Sequence, residues 1–184
     1  MKSAVLVIDM VQDNFPAGRD IPISVQARAV VPNINRLTAW ARHNDYPVVF
    51  ACDCFRSTDF IFESKLKPHS LDGTGGCEVM SELEVLPGDE VLYKRRFSAF
   101  FKTHLDADLR RSGVEQVFVC GIATHICVLS TVMDALCHDF RAVFVEDASA
   151  SYTLEAHQQT LDLYRQNPLH PLLQVLSTDA ILAS

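Results

Sequence analysis

Phe118-Val119-Cys120-Gly121-Ile122-Ala123-Thr124-His125-Ile126-Cys127-Val128 is the stretch that decides the fold. The apolar, β-branched residues Val117–Cys120 predict a buried strand. The run breaks at Gly121 and restarts as a mostly apolar helical pattern over residues Thr124–Cys137. This puts Cys127 in the first turn of a helix, facing unpaired backbone N–H groups and the positive end of the helix dipole. Both favour thiolate over thiol, so Cys127 is a candidate nucleophile. Its plainer alternative is a small buried hydrophobe.

The same rhythm extends in both directions. Apolar runs predict strands over Ala4–Ile8, Pro47–Ala51, Glu90–Tyr93, Ala142–Val145 and Leu172–Leu176. Helical spacing of Ile34, Leu37, Trp40 and Ala41 predicts a helix over Val30–His43, with Pro32 tolerated in its first turn. Further helices are predicted over Leu105–Ser112, stopped by Gly113, and over Leu154–Gln166, closed before Pro168. Near-continuous apolar strands alternating with helices imply an α/β protein. The expected form is a three-layer α-β-α sandwich on a mainly parallel, Rossmann-like six-stranded sheet. Residues 1–184 carry no repeat or linker and are expected to form one domain. The turn-rich segment from Phe55 to Gly88 is too long for a simple connection and is expected to serve function.

The formal net charge of −7 argues against nucleic acid or an anionic membrane as partner. No apolar stretch approaches the roughly 20 residues of a membrane span. The chain enters a strand pattern directly after Met1-Lys2-Ser3, without the marks of a signal peptide. Most of the six cysteines lie in apolar runs rather than a disulfide framework. A reduced, cytoplasmic protein is expected. Cys52, Cys77, Cys120 and Cys137 read as packing thiols.

Parallel sheets bind ligands at the carboxyl ends of their strands. Four predicted strands end on distinctive groups: Asp9, Asp53, Lys94 and the Gly121–Cys127 turn. Any one of them can be an ordinary cap or surface residue. Together they suit acyl transfer. An isolated thiol is only about 3% thiolate at neutral pH, so a nucleophilic cysteine needs a cation and a base. Lys94 would supply the cation. Asp9 would take the thiol proton and return it to the leaving amine. Backbone N–H groups at Cys127 and in the preceding turn would hold the oxyanion.

The sequence resembles the isochorismatase-like cysteine hydrolases, a superfamily that includes nicotinamidases, N-carbamoylsarcosine amidases and isochorismatases. Three motifs carry the resemblance: Val5-Leu6-Val7-Ile8-Asp9-Met10-Val11-Gln12-Asp13-Asn14-Phe15, Lys94-Arg95-Arg96-Phe97-Ser98-Ala99-Phe100, and Gly121-Ile122-Ala123-Thr124-His125-Ile126-Cys127-Val128. Pro68-His69-Ser70-Leu71-Asp72-Gly73-Thr74 resembles a fourth, from the central loop. The resemblance implies a catalytic triad of Asp9, Lys94 and Cys127. It also implies a cis peptide between Ile122 and Ala123 that turns backbone N–H groups of Ala123 and Cys127 toward the oxyanion. Phe15, Phe55, Phe97, Phe100 and His125 are candidate pocket residues.

One departure from the family concerns metal. The nicotinamidases of the superfamily bind a divalent ion such as zinc through an Asp-x-His pair and a further histidine. Asp53 and His69 match two of these ligands, but Phe55 stands where a histidine is expected. Two ligands rarely hold zinc, so no metal cofactor is expected. The sequence thus predicts a hydrolase of a small amide or ureido C–N bond, acting through a thioester on Cys127. The alternatives are an isochorismatase-like vinyl-ether hydrolase and a non-catalytic interaction protein on the same fold. A small-molecule substrate and a homodimer or higher homo-oligomer complete the expectation.

Overall fold

Apolar residues alternate between two destinations along every central strand, and this builds the three layers. In the computed structural model, which describes residues 1–183, Val5 and Val7 face one core while Ala4, Leu6 and Ile8 face the other. The strands are β1 (Ser3–Ile8), β2 (Val48–Asp53), β3 (Glu90–Lys94), β4 (Gln116–Ile122), β5 (Arg141–Ala150) and β6 (Leu173–Leu176). They form one parallel sheet in the order β3-β2-β1-β4-β5-β6. On one face lie α1 (Pro22–His43) and α5 (Thr178–Leu182), represented in that core by Ile34, Leu37 and Ile181. The other face carries α2 (Leu105–Arg111), α3 (Leu129–Cys137) and α4 (Leu154–Arg165), through Leu109, Val132 and Leu161. With both faces covered, the strands read as continuous apolar runs. Among the described residues, no helix is long and apolar enough to cross a membrane.

Two elements extend beyond their expected bounds. Helix α1 begins at Pro22, eight residues before the expected Val30. Pro22 suits a first helical position, and the Ser24 hydroxyl accepts the Ile21 N–H at 2.9 Å. Pro32 therefore sits inside the helix, on its exposed side, where water can meet the carbonyl it leaves unpaired. Strand β5 runs on to Ala150 because its pairing with β4 shifts register between Val119 and Gly121. After the shift, Gly121 pairs with Ser149 and Ile122 with Ala150.

The helix expected over Thr124–Cys137 is present in two parts. Thr124–Val128 is wound as a π turn, closed by the Val128 N–H on the Ala123 carbonyl at 3.3 Å, and α3 follows. Cys127 lies in this wider turn.

Candidate active site

Sheet order, rather than sequence proximity, assembles the site. From β1 the chain runs outward through β2 and β3, then crosses back to place β4 on the other side of β1. This is the reversal point where parallel sheets open a crevice at their carboxyl ends. Strands β3, β2, β1 and β4 are consecutive neighbours, so Lys94, Asp53, Asp9 and the Gly121–Cys127 turn share one rim.

Lys94 is buried and its ammonium is fully engaged. Nζ donates to Asp53 Oδ1 at 2.5 Å, to Asp9 Oδ2 at 2.9 Å and to the Arg96 carbonyl at 3.1 Å. An ammonium has three protons to give, and these contacts account for all of them. The other Asp9 oxygen, Oδ1, accepts the Asp53 backbone N–H at 2.8 Å. Asp9 adopts φ +53°, a left-handed conformation, while its carbonyl accepts the Asn14 side-chain amide at 2.9 Å. Ligand atoms of Asp9, Asp53 and Cys127 all lie within 4.8 Å of one another.

The electrostatics follow from burial. Desolvation opposes the Lys94 charge, but the Asp53 and Asp9 carboxylates outweigh it and hold the ammonium protonated above its usual range. Burial, and then the neighbouring Asp9, push the Asp53 carboxyl up to about 7, against the pull of Lys94. Burial also drives the Cys127 thiol well above the ordinary range, Asp9 reinforces this, and Lys94 opposes it without prevailing. The sequence suggested a thiolate favoured by Lys94 and the helix terminus. In the fold the sulfur is buried close to two carboxyls, which work against the thiolate.

Gly121 makes the close packing of this rim possible. At φ +101° it takes a conformation that L side chains rarely adopt, and a Cβ there would meet the Ile8 carbonyl oxygen at 2.2 Å. The Ile122–Ala123 peptide that follows is cis.

A cavity of about 190 Å³ opens over Asp9, Asp53 and Cys127. Of the aromatic candidates, Phe55 and Phe97 line it. Phe15 is buried in the α1-side core with the Arg28 guanidinium 5.2 Å over its ring. Phe100 is buried in the opposite core, 5.9 Å from Phe140. His125 turns away from the cavity to the Ser151 hydroxyl and the Tyr152 ring. Sequence reasoning missed Ile23, Leu66, Ile126 and Tyr152 as lining residues. Ile126 was the most findable, being adjacent to Cys127. The other three come from segments whose approach depends on loop paths. Arg95 and Arg96 both pair with Asp59.

The residues present do not fit a divalent metal. Phe55 is 1% exposed and packs edge-to-face on Phe62 and His69, each at 5.5 Å between ring centroids. His69 Nδ1 donates to the Lys67 carbonyl at 2.9 Å. Asp53 and Asp9 already bind the Lys94 ammonium, so an ion among Asp9, Asp53 and Cys127 would compete with it for those carboxyls.

Comparison with known proteins agrees with this architecture. The chain is 34% identical over 164 residues to Nicotinamidase 3 of Arabidopsis thaliana, covering 86% of this chain and 78% of the relative. N-carbamoylsarcosine amidase from Thermoplasma acidophilum superposes with a TM-score of 0.81 at 32% identity, over 97% of this chain and 98% of that one. An isochorismatase-like hydrolase from Alkaliphilus metalliredigens gives a TM-score of 0.83 at 27% identity, over 99% and 95%. The sequence model of the isochorismatase domain matches residues 3–179, and the chain belongs to the isochorismatase family.

Proposed function

We propose that the protein is a cysteine-dependent hydrolase of a small amide or ureido C–N bond. The observation that carries the reading is the buried cluster in which one lysine ties two aspartates together beside a cysteine whose sulfur lies within 4.8 Å of both carboxyls. The names of two relatives, a nicotinamidase and an N-carbamoylsarcosine amidase, support the bond class.

The chemistry runs as two acyl transfers. Asp9 takes the Cys127 proton while Sγ attacks the carbonyl carbon, forming the C–S bond and an oxyanion. Backbone N–H groups of Ala123 and Cys127 face the oxyanion, and Lys94 balances the added charge. Collapse expels the amine, which carries away the proton held by Asp9, and leaves a thioester. Water then gives a proton to Asp9 and attacks the thioester. The thiol leaves, recovers its proton, and the acid product departs. No step uses a metal. In this reading residues 1–184 form one cytoplasmic domain. Exposed Leu154 and Leu163 on α4 support a homodimer or higher oligomer.

The test is ammonia release from primary amides and ureido compounds, with Cys127→Ala as control and mass spectrometry of the quenched enzyme. An acyl adduct on Cys127 is expected, with turnover abolished in the variant. Undiminished hydrolysis by Cys127→Ala would overturn the mechanism.

A further inference from the structure

We propose that the catalytic cavity selects compact, uncharged acyl groups and rejects carboxylated ones. This deepens the hydrolase reading and rests on it. Three observations carry it.

The first is size. At about 190 Å³ the cavity lies below the usual range for drug-sized ligands, roughly 300–1,000 Å³, so one ring or a short branched chain fills it. The second is the wall. Ile23, Phe55, Leu66, Phe97, Ile126 and Tyr152 surround the space above the sulfur. Apart from the Tyr152 hydroxyl these side chains offer no hydrogen-bond donor, so a carboxylate placed among them would exchange much of its water for apolar contact.

The third is charge. Anion recognition needs a cation with free valence, and Lys94 has none, since its three N–H groups meet two carboxyls and a carbonyl. Two carboxyls share that single ammonium, so the cluster offers no unmatched cation to an incoming anion. The nearby guanidiniums of Arg95 and Arg96 are held by Asp59, and neither lines the cavity. The remaining basic side chain in the lining is His69, with Nδ1 bound to the Lys67 carbonyl and its ring packed on Phe55 and Phe62. Phe55 thus replaces a polar anchor with an aromatic face, making it a specificity-determining residue.

Binding and turnover test this separately. Calorimetry on Cys127→Ala compares benzamide with 4-carboxybenzamide, and kcat/KM on the unaltered enzyme compares the same pair. The neutral amide is expected to win by at least about 100-fold in both, given the several kcal/mol that like-charge contact and desolvation cost. Leu66→Arg, at a lining position 39% exposed, places a free cation on the wall and is expected to narrow the gap at least about tenfold. Equal or better binding of the carboxylated amide, or no binding of either, would overturn the proposal. A neutral preference in binding without turnover by the unaltered enzyme would uphold this selection and refute the hydrolase reading instead.

Discussion

Replacing Lys94 by methionine leaves Asp9 and Asp53 facing each other without the ammonium that joins them. The substitution breaks two ion pairs, 2.9 and 2.5 Å long, made by a buried lysine. Removing one partner of a buried ion pair costs about 3–5 kcal/mol, and methionine keeps the volume, so the loss is electrostatic. Its pH dependence is the sharper test. The Asp53 carboxyl is raised from 3.8 to about 7 in the folded protein. A raised pKa means stability that is full below the unfolded value and lost as pH climbs through the folded one. The unaltered protein should therefore lose stability between about pH 4 and 7 from this group, then level off. In Lys94→Met the downward pull of the ammonium is gone, so the folded pKa rises further and the loss continues above pH 7. The gap between the two proteins should widen by up to about 1.4 kcal/mol per pH unit, or about 3 kcal/mol from pH 7 to 9. Lysine's own ordinary pKa of 10.5 lies above this window and does not contribute. Guanidinium melts at several pH values measure the gap, and groups unaffected by the change cancel in the difference. A gap that stays constant with pH, or a variant as stable as the parent at pH 9, would refute the charge assignment.

Asp9→Asn keeps the shape but removes the base, and kcat is expected to fall about 10²- to 10⁴-fold while a stable fold persists. Loss in KM alone would contradict its role. Alkylation of Cys127 by iodoacetamide should be slow at neutral pH and accelerate as pH rises, because burial and Asp9 hold the thiol protonated. Rapid labelling near pH 6 would show a preformed thiolate. Gly121→Ala should lower stability by about 3 kcal/mol or more, since its Cβ would collide with Ile8 backbone and the φ of +101° is strained for alanine. A melting temperature unchanged in that variant would contradict the close approach. Prolonged treatment with EDTA followed by gel filtration should leave both ammonia release and melting temperature unchanged, because Phe55 interrupts the donor set. Restoration of lost activity by added zinc would mean that a metal site exists.

The layers were legible because their signals are local. Apolar runs ending in single polar residues mark strand ends in any parallel sheet, so Asp9, Asp53 and Lys94 stood out without knowledge of strand order. What they do to each other was not local. Asp53 read as a metal ligand next to an interrupted motif, and only the order β3-β2-β1-β4 brings it under the Lys94 ammonium. The same limit explains Phe15 and Phe100. Each closes a recognisable motif, but whether its ring faces the cavity or a core depends on how the loop returns to the sheet. For α1, Ile23, Ala27, Val31 and Ile34 carry helical spacing from the start, yet Pro22 and Ser24 resemble turn residues when their capping role is unseen.

Burial of the thiol beside two carboxyls changes what the lysine is for. A cysteine activated as a thiolate would need Lys94 to stabilise an anion before substrate arrives. Here burial and two carboxyls oppose that anion. With a proton on one carboxyl and the sulfur protonated, the two acids, the ammonium and the thiol sum to zero charge. Moving the thiol proton to Asp9 as the C–S bond forms leaves the cluster one unit more positive, and that charge balances the negative charge that appears on the substrate oxygen. Stabilising charge there, rather than on the resting sulfur, lowers the transition state without deepening the ground state. It also explains a cavity that suits neutral substrates, since an acyl group carrying its own anion would add a second negative charge to a site arranged to receive only one.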